Sequence, residues 1–227
     1  MPVQTGVQGH DLMRVMYLHG FASSPKSSKA SFFAAKLAAH GIAVESPDLN
    51  EPDFSTLTVT RMLGQVFDRI RAGTGPVALI GSSLGGFVAL QAALRDPAAI
   101  TRLVLLAPAL EFGANRMREL GVELNAWQAS NRIDVFHYGY GRLMPIHYEL
   151  YEDARRYDAS NAQLSQPTQV FQGRHDAAVD PAAVEAWCRA RPNVELHLLD
   201  DDHQLRGSLE FIWSQVARFL SLHQQMP

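Results

Sequence analysis

The stretch ALIGSSLGGFVAL, residues 78–90, sets one serine between two glycines in the middle of an apolar run. Gly81, Ser83 and Gly85 form a G-x-S-x-G pattern, which by itself is no more than a Gly/Ser-rich turn. Its flanks give it meaning. Residues 77–81 are continuously apolar and read as a buried strand, and 84–95 carry a helical pattern that ends at Asp96-Pro97. Ser83 therefore stands on a strand–turn–helix junction, the setting of a nucleophile elbow. The glycines have a steric reason there, because side chains at 81 and 85 would collide with so tight a turn. The helix N-terminus behind Ser83 favours negative charge developing at the site.

Outward from this junction, short apolar runs alternate with longer helical patterns. Residues 14–18, 42–45, 103–107, 168–172 and 194–199 read as strands. Residues 31–40, 57–71, 181–190 and 208–222 read as helices, with Asp180-Pro181 as an N-cap followed by proline at the first helical position. Such alternation, with strands apolar on both faces, predicts an α/β fold of one domain, 1–227: a mostly parallel central sheet covered by helices on both sides. Residues 108–167 break the rhythm and are expected to form a cap-like insertion over one end of the sheet. They hold no clear buried strand, but contain a predicted helix over 115–128, the aromatic stretch IDVFHYGYGRLMPIHYELY (133–151) and a polar helix over 149–156. Trp127 and Tyr140 are the candidate substrate-pocket residues of this insertion, whose bulky apolar and aromatic side chains suit an acyl chain.

In an open parallel sheet, ligands bind beyond the carboxyl ends of the strands. A serine hydroxyl there is a poor nucleophile without a base, and the base needs an acid to orient it. Two loops at the same edge supply both. The loop after strand 168–172 carries His175, Asp176 and Asp180, and the loop after strand 194–199 carries Asp200, Asp201, Asp202 and His203. His203 is the candidate base. Asp176 and Asp180 are rival acids, although capping the following helix is a sufficient role for Asp180. Asp201 and Asp202 lie too close to His203 along the chain to reach the far side of its ring. An oxyanion hole would use the backbone N–H groups of Leu84, after the serine, and Phe21, in the loop after the first strand. His19 leads that loop and reads as structural, and His175 as exposed.

The composition excludes several alternatives. The chain has 227 residues, 47% hydrophobic and 19% charged, enough for a sizeable core. Its formal net charge is −3 and no Lys/Arg run occurs, so neither nucleic acid nor a polybasic membrane contact is expected. No apolar stretch approaches the roughly 18 residues of a spanning helix, and the N-terminal residues do not read as a leader, so a cytoplasmic location is expected. Cys188 is the single cysteine, which rules out an intramolecular disulfide and a cysteine-based zinc cluster within the chain. It sits in a helical pattern and reads as core. His137 and His147 lack a third ligand at sensible spacing, so no metal is expected.

With YLHGFASSPKSSK (17–29), GSSLGG (81–86) and the two acid- and histidine-bearing loops in this order, the sequence resembles the α/β-hydrolase superfamily over nearly its whole length. The first two segments look especially like the small bacterial YqiA-type esterases. The resemblance implies Ser83 as nucleophile, Asp176 as acid and His203 as base. It also implies hydrolysis of small acyl esters without a cofactor. Two departures stand out. Only about a dozen residues precede the first strand, so the fold's usual first two strands are expected to be missing, and the insertion is long for a minimal esterase. The same residues would also serve a thioesterase, amidase or lactonase, and a hydrolase-like fold can be kept as a binding module.

Overall fold

The computed structural model describes residues 13–112 and 123–222. In chain order the sheet strands and their helices are β1 (Arg14–Leu18), α1 (Ser28–Ala38), β2 (Val44–Glu45), α2 (Val59–Ala72), β3 (Val77–Ser82), α3 (Leu84–Arg95) and β4 (Ile100–Leu106). After the insertion come β7 (Thr168–Gly173), α6 (Pro181–Arg189), β8 (Val194–Leu199) and α7 (Leu209–Phe219). The six strands lie in the order β2-β1-β3-β4-β7-β8, and every pairing is parallel.

Period-two alternation divides the core into two layers. Met16 and Leu18 of β1 with Leu79 of β3 face α2, α3 and α6, while Val15, Tyr17, Ala78 and Ile80 face Phe33 of α1 and Ile212 and Val216 of α7. Both faces being covered explains why VALI shows no polar alternation. The helix ends follow local chemistry. The Ser27 hydroxyl accepts the Ala30 N–H and starts α1 three residues before the apolar pattern does, and Thr58 caps α2 through the Arg61 N–H. The sheet order reverses between β1 and β3, because the chain leaves β1 toward β2 on one side and returns to β3 on the other. That switch point opens a crevice at the carboxyl edge, between the loops that follow β1 and β3.

The insertion differs from expectation. It contains α4 (Leu124–Ser130), a two-stranded antiparallel hairpin of β5 (Arg132–His137) and β6 (Arg142–His147), and α5 (Glu149–Ala154). The hairpin has one face packed and one solvated: Ile133 and Val135 pack on the core while Arg132, Asp134 and Phe136 point outward. A search for continuous apolar runs passes over such a strand. Of the helix predicted over 115–128, residues 115–122 lie outside the described residues. Asp153 of α5 ties the insertion to the main body by accepting the Thr60 N–H at 2.8 Å and the Thr60 hydroxyl at 2.5 Å. Among the described residues, no helix is long and apolar enough to cross a membrane.

Candidate active site

The turn between β3 and α3 holds Ser83 at φ 52°, ψ −118°, a conformation that a side-chain-bearing residue rarely adopts. Local bonds impose it. The Ser83 N–H donates to Leu106 O (2.9 Å), and its carbonyl accepts from the N–H groups of Gly86, Phe87 and Ala109. The flanking glycines are obligatory by packing. A Cβ at Gly85 would run into the Leu18 carbonyl, and one at Gly81 into the backbone of Gly85 and Gly86. Leu84 is the first residue of α3, so its N–H is one of those for which the helix itself has no acceptor.

The loop after β1 passes close by: a Cβ on Gly20 would sit 3.3 Å from Ser83 Cβ. His19 shapes this loop. Its Nδ1 donates to Gly20 O (2.9 Å), and its Nε2 accepts the Leu49 N–H (3.0 Å) beside Asp48 Oδ1 (3.3 Å), which commits both ring nitrogens. His19 is buried and has the structural role expected of it. Phe21 follows, with its ring against Phe54, and lines the same cleft as Ser83.

Asp176 lies three residues beyond β7 and its carboxylate is fully enclosed. Oδ1 accepts the N–H groups of Ala178 (2.9 Å) and Val179 (2.8 Å), and Oδ2 accepts Gln172 Nε2 (2.8 Å) and His203 Nδ1 (2.8 Å). Burial opposes its ionisation, but the bonds from His203, Val179 and Gln172, with the attraction of His203, outweigh it and hold the carboxyl below its ordinary range. An ionised carboxylate only accepts, so the neutral His203 ring keeps its proton on Nδ1 and leaves Nε2 bare. Asp180 is elsewhere. It caps α6 through the Ala182 N–H at 3.0 Å. Asp201 and Asp202 accept backbone N–H groups of Asp202 and Gln204 and so shape the histidine loop, while exposed His175 pairs with Asp200 at 2.7 Å.

Ser83 and His203 line one cleft of about 1230 Å³, and Gly20 and Phe21 form part of its wall. The insertion supplies another part, from Asp134 to Phe136 and from Tyr138 to Gly139. The hairpin tip rests on the β1 loop, where the Gly139 N–H donates to Ala22 O (3.4 Å). The two expected pocket residues do not line this cleft. Trp127 is wholly buried beneath the hairpin, donating its indole N–H to Ile146 O (3.2 Å) with its ring edge-on to Tyr148. Tyr140 stacks on His137 with ring centroids 3.9 Å apart. Phe136 and Tyr138, four and two residues before Tyr140, take their place. His137 is buried between Tyr140 and Phe54, with Nδ1 accepting the Tyr140 N–H and its charged form disfavoured by burial. Buried Cys188 is part of the core, and burial pushes its thiol up to about 12.

Sequence reasoning also passed over Gln172, which orients Asp176, and Lys29, whose ammonium approaches the His203 carbonyl. A polar residue within a buried strand was the available signal for Gln172.

The model of the uncharacterised protein family UPF0227 matches residues 14–220. The chain belongs to UPF0227. This UPF0227 chain has the α/β-hydrolase fold. Est1E from Butyrivibrio proteoclasticus, solved with ferulic acid bound, superimposes with a TM-score of 0.80 at 20% identity, over 92% of this chain and 88% of that one. The mouse alpha/beta hydrolase domain-containing protein 10 gives 0.74 at 18% identity, over 91% and 89%. Lipase LipV of Mycobacterium tuberculosis is 44% identical over 48 residues, a match spanning 21% of this UPF0227 chain and 18% of that lipase.

Proposed function

We propose that this UPF0227 protein is a serine hydrolase that cleaves carboxylic esters of small acyl substrates, with Ser83, His203 and Asp176 as its working residues. The observation that carries the reading is the bare Nε2 of His203, fixed by a fully bonded Asp176 and lining one cleft with a serine held on a strained turn. The local match to lipase LipV supports it.

His203 takes the Ser83 proton on Nε2 as the oxygen attacks the ester carbonyl. The N–H groups of Leu84 and Phe21 receive the negative charge of the tetrahedral intermediate. His203 then passes its proton to the leaving alcohol, which departs and leaves the acyl group on Ser83. Water reverses the sequence, giving its proton to His203 and releasing the acid. Asp176 stays ionised throughout and stabilises the imidazolium. None of these steps calls for a cofactor.

Ser83→Ala tests the reading. Hydrolysis of 4-nitrophenyl butyrate should fall by about 10³-fold or more with the thermal melt preserved. Near-normal turnover by the folded variant would overturn it.

A further inference from the structure

One wall of the cleft carries positive charge that the protein leaves unneutralised. Lys29 is 8% exposed and lines the cleft, yet its ammonium has one hydrogen bond among the described residues, to the His203 carbonyl at 3.5 Å. That is a long bond, and a buried ammonium held so weakly has much of its hydration unreplaced. Lys26 and Arg206 line the same cleft, and among the described residues neither they nor Lys29 form an ion pair. Elsewhere, Arg14 and Lys36 are paired, with Glu45 and Glu210.

The acids on the wall do not cancel these cations. Asp134 is paired with Arg132 at 3.1 Å, and Asp176 is committed to His203 and three further donors. Asp202 remains, at the rim, accepting the Gln204 N–H. Three unpaired cations thus face two carboxylate charges, Asp202 and an Asp176 bonded to neutral donors alone, which leaves the wall net positive in a chain whose net charge is −3. The N-terminus of α1, eleven residues long, starts on the same wall at Ser28 and adds its dipole in the same sense.

We propose that the cleft takes esters bearing a second, anionic group, a carboxylate on the acyl or the alcohol side, bound by Lys29 with Lys26 and Arg206. The proposal deepens the hydrolase reading and rests on it for the ester bond. Burial lowers Lys29 to about 8; Asp176, Asp202 and Asp201 work against that shift and Arg206 with it. Lys29 is therefore mostly charged at neutral pH, and a bound carboxylate supplies the partner it lacks. The apolar acyl wall expected from the sequence gives way to a polar one beside α1, facing the aromatic hairpin.

Two matched ester pairs test this. The 4-nitrophenyl half-ester of adipic acid against 4-nitrophenyl hexanoate puts the charge on the acyl side; 4-acetoxybenzoate against its methyl ester puts it on the alcohol side. In at least one pair the anionic member should have a kcat/KM about tenfold higher at low salt, since opposite charges attract strongly in partly buried surroundings. The ratio should shrink with added salt, shrink above pH 8 as Lys29 loses its proton, and collapse toward one in Lys29→Met. Lys26→Met and Arg206→Met, both at exposed positions, should lower it less. Calorimetry with adipate and 4-hydroxybenzoate on Ser83→Ala protein reads binding without turnover, and at least one should bind in a way that Lys29→Met abolishes. Ratios near one in both pairs, or a preference that Lys29→Met leaves intact, would overturn the anion site while leaving the esterase reading standing. Lysine-dependent binding without any serine-dependent turnover would do the opposite.

Discussion

Asp176 and His203 meet through Oδ2 and Nδ1 at 2.8 Å, and the other acceptor positions of that carboxylate are already filled by Gln172, Ala178 and Val179. The carboxylate therefore cannot turn away from the ring, and the ring cannot present Nδ1 to the cleft without breaking the pair. Rigidity on this side leaves the Nε2 side free for proton transfer.

Asp176→Asn puts an amide where four donors converge. One of its atoms becomes a donor facing donors, and the imidazole loses the acceptor that selects its tautomer. The expected loss in kcat is about 10⁴-fold. Asp180→Ala should instead cost about 1 kcal/mol of stability through the lost cap and leave kcat near normal. Steady-state kinetics and denaturant melts of the two variants check this, and the reverse ranking in kcat would move the acid role to Asp180.

The same carboxylate makes stability depend on pH. Its folded-state pKa is depressed, so its contribution is fully present above the ordinary carboxylate range and is lost as pH falls through the depressed value. The stability gap between the native protein and Asp176→Asn should narrow as pH falls below the ordinary carboxylate range. Urea denaturation at a series of pH values measures the gap, and a gap that keeps widening below the ordinary carboxylate range would contradict the assigned bonds.

Phe136 and Tyr138 face the cleft, whereas Trp127 supports the hairpin from below. Phe136→Ala or Tyr138→Ala should change the kcat/KM ratio between short and medium acyl esters, by about 1–3 kcal/mol per pocket-filling group. Trp127→Ala should lower stability by about 3–5 kcal/mol, because it empties a packed site and orphans the Ile146 carbonyl. A chain-length series with melts on all three variants separates specificity from support. An unchanged chain-length profile in both hairpin variants would remove the hairpin from substrate binding.

The parts of the molecule legible in the sequence are those whose constraints are local. Ser83 needs glycines at 81 and 85 because backbone occupies the space of their side chains, and that demand is written within five residues. The strands of the sheet are legible because burial on both faces erases polar alternation, and Asp180 because an acid before Pro181 is a local capping signal. What escaped depends on distant chain. Lys29 looks like any lysine near a helix start, and only the approach of the His203 loop encloses it. Gln172 gains its role from Asp176 across a turn. Trp127 and Tyr140 carry the right chemistry for a pocket wall, but how the hairpin packs on distant chain decides which residues of the insertion reach the cleft, and these are Phe136 and Tyr138.

Whether Ser83 is an activated nucleophile is the central claim, and covalent labelling tests it most directly. A fluorophosphonate reacts with a serine whose proton is taken by a neighbouring base and whose oxyanion is held by backbone donors. Incubation with the folded protein followed by peptide mass spectrometry should find one stoichiometric adduct on Ser83. The adduct should be absent in Ser83→Ala and form far more slowly in His203→Ala. A folded protein that takes up no label, or one labelled equally well after Ser83→Ala, would contradict the account.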